Sequence, residues 1–468
     1  MSAMLRYAQR RVCYANIENT TLEKLLIMPF SQHKPNFMFP KNFFAGSSFG
    51  SFLSRKEQKN TQHKLTTTKK GASMTIEIPE YARAVCERLE QSGEEAYIVG
   101  GSLRDSLLCK SASDYDVATS ALPERMVEIF KDYRVIATGL RHGTLTVMSE
   151  GKPIEVTTFR VDGGYSDSRH PDSVSFTRSI EEDLARRDFT VNAMAYNENR
   201  GLVDLFGGRD DLQNRIIRAV GEPERRFGED ALRIMRAFRF SAQLDFKMEK
   251  ETLAAASECR EELSKIARER IASELFKLLS AKTPEKALAE MCEIGVAEYV
   301  FCSYLPEREL IALLPEMLDD PAARLGLLLC NAGDEKVREI VGSLRCSNKQ
   351  RSTVLAVAQH SSRCIKTQRD CSYLCAELGE RAEAVMRASI LRGYTHKEAL
   401  RFLESDSAPH SISELAVGGN DLSELGFSGR EIGKTLAYLL ECAIDQPSLN
   451  TRESLLELAK KKYKEKGE

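Results

Sequence analysis

The spacing of apolar residues changes once along this chain, near residue 208, and that change limits the fold more than any other feature. Between residues 96 and 205 short strand-like runs alternate with helix-like ones. AYIVG reads as a buried strand, GSLRDSLL as a helix opening after glycines, and DYDVAT as a second strand. PERMVEIF reads as a helix with Pro123 near its start, and TLTVMS and PIEVTTF as paired strands around a turn at Glu150 to Lys152. From residue 208 onward helical spacing dominates, as in EDALRIMRAFRF, ERIASELFKLL and GREIGKTLAYLLECAI. The fold expected is an α+β head, a mixed sheet with helices, followed by an all-α neck, body and tail. The head is placed at residues 74–207, the neck at 208–280, and the body and tail at 281–468.

Residues 1–73 differ from the rest. They carry twelve basic residues against three acidic ones, so a net charge of -2 for the whole conceals +9 here and -11 elsewhere. Such a segment, rich in Ser, Thr, Asn and Gln and without sustained periodicity, is expected to be largely disordered. Three readings stand: an upstream extension with the functional start near Met74, an organelle-targeting peptide, or a basic RNA-binding arm. The chain has no apolar run near the length that crosses a bilayer. Its 12 cysteines form no CxxC pair. Cys371 and Cys375 are the nearest, at helical spacing, and all read as reduced core thiols of a cytoplasmic protein, organellar if the leader targets it. A structural zinc site has no support in these spacings.

Gly100-Gly101-Ser102-Leu103-Arg104 stands where a buried strand meets a helix. Glycines there allow close backbone approach, the helix N-terminus offers free N–H groups, and Ser102 and Arg104 add a hydroxyl and a cation, which suits a triphosphate. Asp114 and Asp116 are two apart on an expected strand, so both carboxylates share one face. Two like charges that close are costly unless a cation sits between them, and oxygen ligands favour a hard divalent ion. Glu155 could complete a three-carboxylate cluster able to hold two metal ions for displacement at phosphorus. Each feature alone has a plainer reading: a structural Gly-Gly turn, a pair of solvated acids, a surface glutamate.

In order, GGSLRD, DYDVATSA, EVTTFR, RRDFTVNA, DLFGGRDDL and RFGEDALRIMRAFRF resemble the motifs of the class II CCA-adding tRNA nucleotidyltransferases, within the polymerase-β-like nucleotidyltransferase superfamily. The likeness is dense over roughly residues 80 to 280 and looser beyond. It implies a transferase that adds C, C and A to the 3′ end of tRNA from CTP and ATP, with magnesium in a two-metal mechanism. Asp114 and Asp116 take the place of metal-binding carboxylates, with Glu155 as the possible third. Gly101, Ser102, Arg104, Arg187, Asp188 and Asn192 are implied nucleotide contacts, Asp188 sensing the ribose 2′-hydroxyl.

Asp230 and Arg233 fall three apart on an expected helix, so they share a face, which Arg236 and Arg239 continue. Cytosine and adenine both present an exocyclic amine beside a ring-nitrogen acceptor. A carboxylate beside a guanidinium complements that pattern, while uracil and guanine place a carbonyl where the amine would be. The resemblance implies that this pair selects the base, the other two arginines lying near the nucleotide. The plainer reading is a surface salt bridge. RVDGGYSDSRHPDSVSF reads as a mobile loop. Its Asp167, Arg169 and Pro171 match the family loop and favour full CCA addition. His142 reads as structural or loop-orienting. Lys265, Arg268, Arg270 and the tail are implied to contact tRNA, and no protein partner is implied. Three alternatives remain. A poly(A) polymerase would usually carry Pro and Val where this chain has Ala231 and Leu232. A partial enzyme would add only CC or only A, and a non-catalytic RNA-binding protein would lack intact motifs.

Overall fold

The computed structural model describes residues 76–112, 114–163 and 174–464. Expectations for residues 1–73 and for Asp167, Arg169 and Pro171 lie outside them. The head is built on a seven-stranded mixed sheet. Its strands are β1 (Ala96–Val99), β2 (Asp116–Thr119), β3 (Arg134–Ile136), β4 (Thr144–Ser149) and β5 (Lys152–Thr158), with β8 (Met194–Asn197) and β9 (Gly201–Asp204) completing it. A separate ribbon pairs β6 (Arg160–Asp162) with β7 (Val174–Phe176). The order across the main sheet is β3-β4-β5-β2-β1-β8-β9.

β1 is an interior strand, buried at all four positions and antiparallel to both β2 and β8. The hairpin β4–β5 turns through Glu150 and Gly151, both at positive φ, which is the two-residue turn that matches the twist of antiparallel strands. Strand alternation divides the sheet's side chains between two faces. Ile98, Val117 and Val156 pack with Val85 and Leu89 of the helix Glu80–Gln91. Tyr97, Val99 and Ala118 point the other way, toward Phe159 and Leu184. Asp116, two before Ala118, is therefore on the face away from the Glu80–Gln91 helix.

The remainder is helical except for a two-residue parallel pair, β10 (Ile216–Ile217) with β11 (Lys247–Met248), which helical spacing alone did not announce. The helix Leu232–Leu244 buries Leu232, Met235 and Phe238 and packs against the helices Arg268–Leu279 and Pro284–Glu293. One apolar core runs from Ile76 to Ala399, and a smaller one gathers residues 415–459, among them Val417, Leu439 and Leu455. No described helix is long and apolar enough to cross a membrane.

The Gly207-Gly208 pair has a packing reason. A Cβ on Gly208 would stand 2.2 Å from the Thr190 carbonyl oxygen. Close approach lets Asp211 accept from the Thr190 hydroxyl at 2.7 Å and fixes the short turn Thr190–Asn192. Gly208→Ala is expected to cost about 1–3 kcal/mol, as overpacking does. Gly342→Ala, in a helix with nothing within 4 Å of the added Cβ, should not destabilise. Urea unfolding midpoints compare the two; equal midpoints would refute the packing role.

Candidate active site

A cleft of about 670 Å³ opens on the sheet face that carries Asp116. Its floor includes Val99, Ala118 and Thr157, and its far wall is the helix Leu232–Leu244. β2 and β5 are parallel and in register, with Asp116 directly opposite Glu155. Burial, then the charges of Glu155 and Asp114, push the Asp116 carboxyl up to about 6, while Arg187 opposes them. That donor set fits a hard divalent cation: oxygen ligands, concentrated negative charge and partial burial.

The expected strand position of Asp114 is not observed. β2 begins at Asp116, not at Asp114, because β1 ends opposite it at Val99 and the chain turns into the helix Gly100–Leu107. Asp114 is exposed and off the cleft wall, though its charge reaches Asp116. Nor do Asp114, Asp116 and Glu155 form a group with ligand oxygens all within 4.8 Å of one another.

Gly100 has φ +73 and leaves room where a Cβ would meet an Asp116 carboxylate oxygen at 3.4 Å and the Arg187 guanidinium at 3.8 Å. Gly101 and Arg104 line the cleft. Ser102 does not: it is buried, and its hydroxyl donates to the Val99 carbonyl at 3.2 Å. Its position on the first turn points it back into the fold with Leu103. Arg104 donates to the Asn192 side-chain oxygen at 2.9 Å.

Arg187 and Arg186 share a buried anchor, Asp183, at 3.0 and 2.7 Å. Burial works against the Asp183 charge, and the two guanidiniums overcome it, holding the carboxyl below its usual range. Asp183 was not singled out in the sequence; its i,i+3 and i,i+4 spacing to the two arginines was the available signal. Asp188 is likewise buried yet held ionised, by Arg236 donating from Nε at 2.7 Å. Backbone bonds from Val220 N to Asp188 O and from Thr190 N to Arg218 O fasten this segment to the start of the helical region.

Asp230 and Arg233 both face the cleft, but not as an i,i+3 pair on one helix. Asp230 is extended (φ -145, ψ 103) at the break between the helices Pro223–Glu229 and Leu232–Leu244, where its carboxylate accepts from Leu232 N at 3.0 Å. A short acidic side chain that satisfies free N–H groups belongs at such a junction. Its ion partner is Arg270, at 2.9 Å. Arg233 instead pairs with Glu229 at 2.8 Å and donates to the carbonyls of Arg226 and Arg186. Arg239 pairs with Glu274 at 2.9 Å, and its guanidinium lies 4.0 Å from the centre of the Phe240 ring. Arg104 and Arg236 also stand over that ring, at 5.5 and 5.3 Å, so Phe240 is the aromatic hub of the basic wall. Eight arginines and five carboxylates line the cleft, a surplus that suits a polyphosphate.

Several residues lie elsewhere. His142 is exposed in a short turn off the cleft, its carbonyl accepting from Arg160 at 3.4 Å. Arg268 is a structural clamp, donating to the carbonyls of Tyr299 and Val300 at 2.6 and 2.7 Å. Lys265 is exposed beside Glu262. Arg270, expected on an RNA-facing surface, is part of the cleft.

Residues 96–218 match the family model described as poly A polymerase head domain, and residues 245–309 the one described as probable RNA and SrmB-binding site of polymerase A. A CCA-adding enzyme of Limosilactobacillus fermentum is 38% identical over 388 residues, 81% of this chain and 96% of that one. The chain belongs to the CCA-adding enzymes. A Streptococcus gordonii CCA-adding enzyme is 39% identical over 81% of this chain and 97% of its own length. The Bacillus stearothermophilus CCA-adding enzyme, solved in complex with CTP, superposes with TM-score 0.70 at 32% identity, covering 83% of this chain and 98% of that one. Membership makes this chain a nucleotidyltransferase with a family-typical dependence on metal.

The raised Asp116 value carries a sign. A carboxyl raised to about 6 binds its proton more tightly in the folded state, which favours folding at low pH. That advantage is lost as pH rises through the raised value, and a bound cation restores it. An added divalent cation should therefore raise the melting temperature more at about pH 7.5 than at about pH 5. Equal shifts at both pH values would contradict the burial and like-charge account of Asp116.

Proposed function

We propose that this enzyme adds C, C and A in turn to the 3′ end of tRNA, using CTP and ATP, with no nucleic-acid template. One observation carries the reading: Asp116 and Glu155 share a single cleft with Asp230 and Arg233. A triphosphate bound there has its reacting phosphorus beside the carboxylates and its base against the helical wall. The CTP complex of the Bacillus stearothermophilus relative supports this choice of substrate.

Asp116 and Glu155, with Asp114 within electrostatic reach, are the groups that would hold magnesium, and the ion, when bound, lowers the pKa of the attacking hydroxyl and offsets charge on the leaving pyrophosphate. Arg187 and Arg104, fixed by Asp183 and Asn192, position the phosphates. Asp188, kept ionised by Arg236, accepts from the ribose 2′-hydroxyl, with Asn192 beside it. The 3′-oxygen of the RNA attacks the α-phosphorus in line and the bond to the bridging oxygen breaks.

Base choice rests on Asp230 and Arg233, with Arg236 and Arg239 completing the wall. Arg233 spends three of a guanidinium's five N–H groups on Glu229 and two carbonyls, which orients it and leaves donors for the cleft. The carboxylate of Asp230, oriented by Arg270 and Leu232 N, keeps lone pairs for the exocyclic amine of cytosine or adenine. Uracil and guanine would leave polar groups unpaired, at about 1–3 kcal/mol each. Ala231 and Leu232, both buried, differ from the Pro-Val of poly(A) polymerases.

With tRNA lacking its terminal CCA, the enzyme should add two nucleotides from CTP alone and three from CTP with ATP. A long A tail would overturn the reading in favour of a poly(A) polymerase. Asp116→Ala should abolish incorporation while leaving tRNA binding intact; substantial residual activity would refute the metal-holding role. Arg233→Ala should lower the preference for CTP over UTP by about 10- to 100-fold, and an unchanged ratio in competition assays would refute base reading by that side chain.

A further inference from the structure

Far along the chain from the cleft, two cysteines, an aspartate and a histidine meet where the helix Gln368–Leu378 packs against the segment that follows the helix Leu400–Glu404. Cys371 and Cys375, one turn apart on that helix, are both buried. Their sulfurs and a carboxylate oxygen of Asp406 all lie within 4.8 Å of one another. Among the described residues no other group of His, Cys, Asp and Glu gathers three ligand atoms this closely. Four residues beyond Asp406, His410 Nε2 stands 3.0 Å from Asp406 Oδ2.

We infer that Cys371, Cys375, Asp406 and His410 form a structural zinc site. Two sulfurs, one imidazole nitrogen and one carboxylate oxygen are the donor types of a closed tetrahedral zinc centre. Metal–ligand bonds of about 2.0–2.3 Å put such ligand atoms roughly 3–4 Å apart, so the two sulfurs and Asp406 need only contract, while His410, which stands beside Asp406 and outside that three-atom group, would turn its partly exposed imidazole toward the sulfurs. The surroundings match a metal site as well. The Asp406 side chain is only 4% exposed. Its Oδ1 accepts from the Ser372 hydroxyl at 2.9 Å and from Ala408 N at 3.2 Å, which orients the carboxylate, while Oδ2 faces His410. Ligating carboxylates are held this way by outer partners.

The competing arrangement is a plain Asp406–His410 ion pair beside two thiols. It accounts for the 3.0 Å contact, but not for two buried sulfurs gathered within 4.8 Å of the same buried carboxylate. A zinc ion would fasten the Gln368–Leu378 helix to the segment that leads into the second core, which begins at Leu415. The same helix already reaches that core through Arg369 and Tyr373, which bond to Asp445 at 2.7 and 2.9 Å.

The test uses the full chain, purified without chelators from zinc-supplemented culture. Elemental analysis should find about one zinc per chain. Cobalt(II) added to metal-free protein should produce a thiolate-to-cobalt charge-transfer band with strong visible bands of tetrahedral geometry. Both should persist in Asp116→Ala and vanish in the Cys371→Ser/Cys375→Ser double variant. The cobalt titration of the unaltered protein needs no variant, so it decides even if the double variant misfolds. Absence of zinc together with a cobalt spectrum lacking thiolate charge transfer would overturn the inference. So would a Cys371–Cys375 disulfide in protein kept under reductant.

Discussion

Two carboxylates held side by side on neighbouring parallel strands are the constraint around which the head is arranged. The register of β2 with β5 puts Asp116 opposite Glu155, and strand alternation turns Asp116 to the side away from the Glu80–Gln91 helix. Nothing in the apolar core requires acids there, and burial raises the cost of the Asp116 charge. The surrounding chain makes the arrangement tolerable. Gly100 supplies the left-handed turn, at φ +73, beside Asp116, and Arg187 brings a guanidinium near it. The remaining repulsion is what a divalent cation relieves.

The cleft's arginines are held in place for a related reason. Its arginines are tied to acids outside the reacting groups: Arg187 to Asp183, Arg236 to Asp188, Arg239 to Glu274 and Arg233 to Glu229. Each pair fixes a cation before a nucleotide arrives, so little ordering remains to be done on binding. The helical region supplies most of this wall and the sheet supplies the carboxylates. The bonds between Asp188, Val220, Thr190 and Arg218 join the two. A site that must both join phosphorus to oxygen and read a base has to hold these surfaces at one separation.

The head was largely legible in the sequence because its signals are local. A buried run before glycines gave β1 and its helix, and a short polar break between apolar runs gave the β4–β5 hairpin. Leu232, Met235 and Phe238, on the inner side of their helix, are buried. What escaped were features set by the ends of elements and by distant partners. Asp230 has helical spacing to Arg233, yet the helix breaks at it, and its partner Arg270 is forty residues away. Ser102 looked free to meet a phosphate until the first helical turn pointed it inward. Arg268 looked like an RNA contact, but its partners are two carbonyls about thirty residues on. The pairing of Cys371 and Cys375 with Asp406 and His410 crosses the packing of separate elements, which spacing does not reveal.

Catalysis and base choice need two surfaces meeting over one nucleotide, so the most direct measurement is diffraction from crystals of the enzyme with CTP and manganese, using the anomalous signal of the metal. The expected result is a manganese peak at the carboxylates of Asp116 and Glu155, with the cytosine amine in hydrogen-bond reach of Asp230 and its ring acceptor facing Arg233. A metal peak away from those carboxylates, or a base turned out of reach of Asp230 and Arg233, would contradict it.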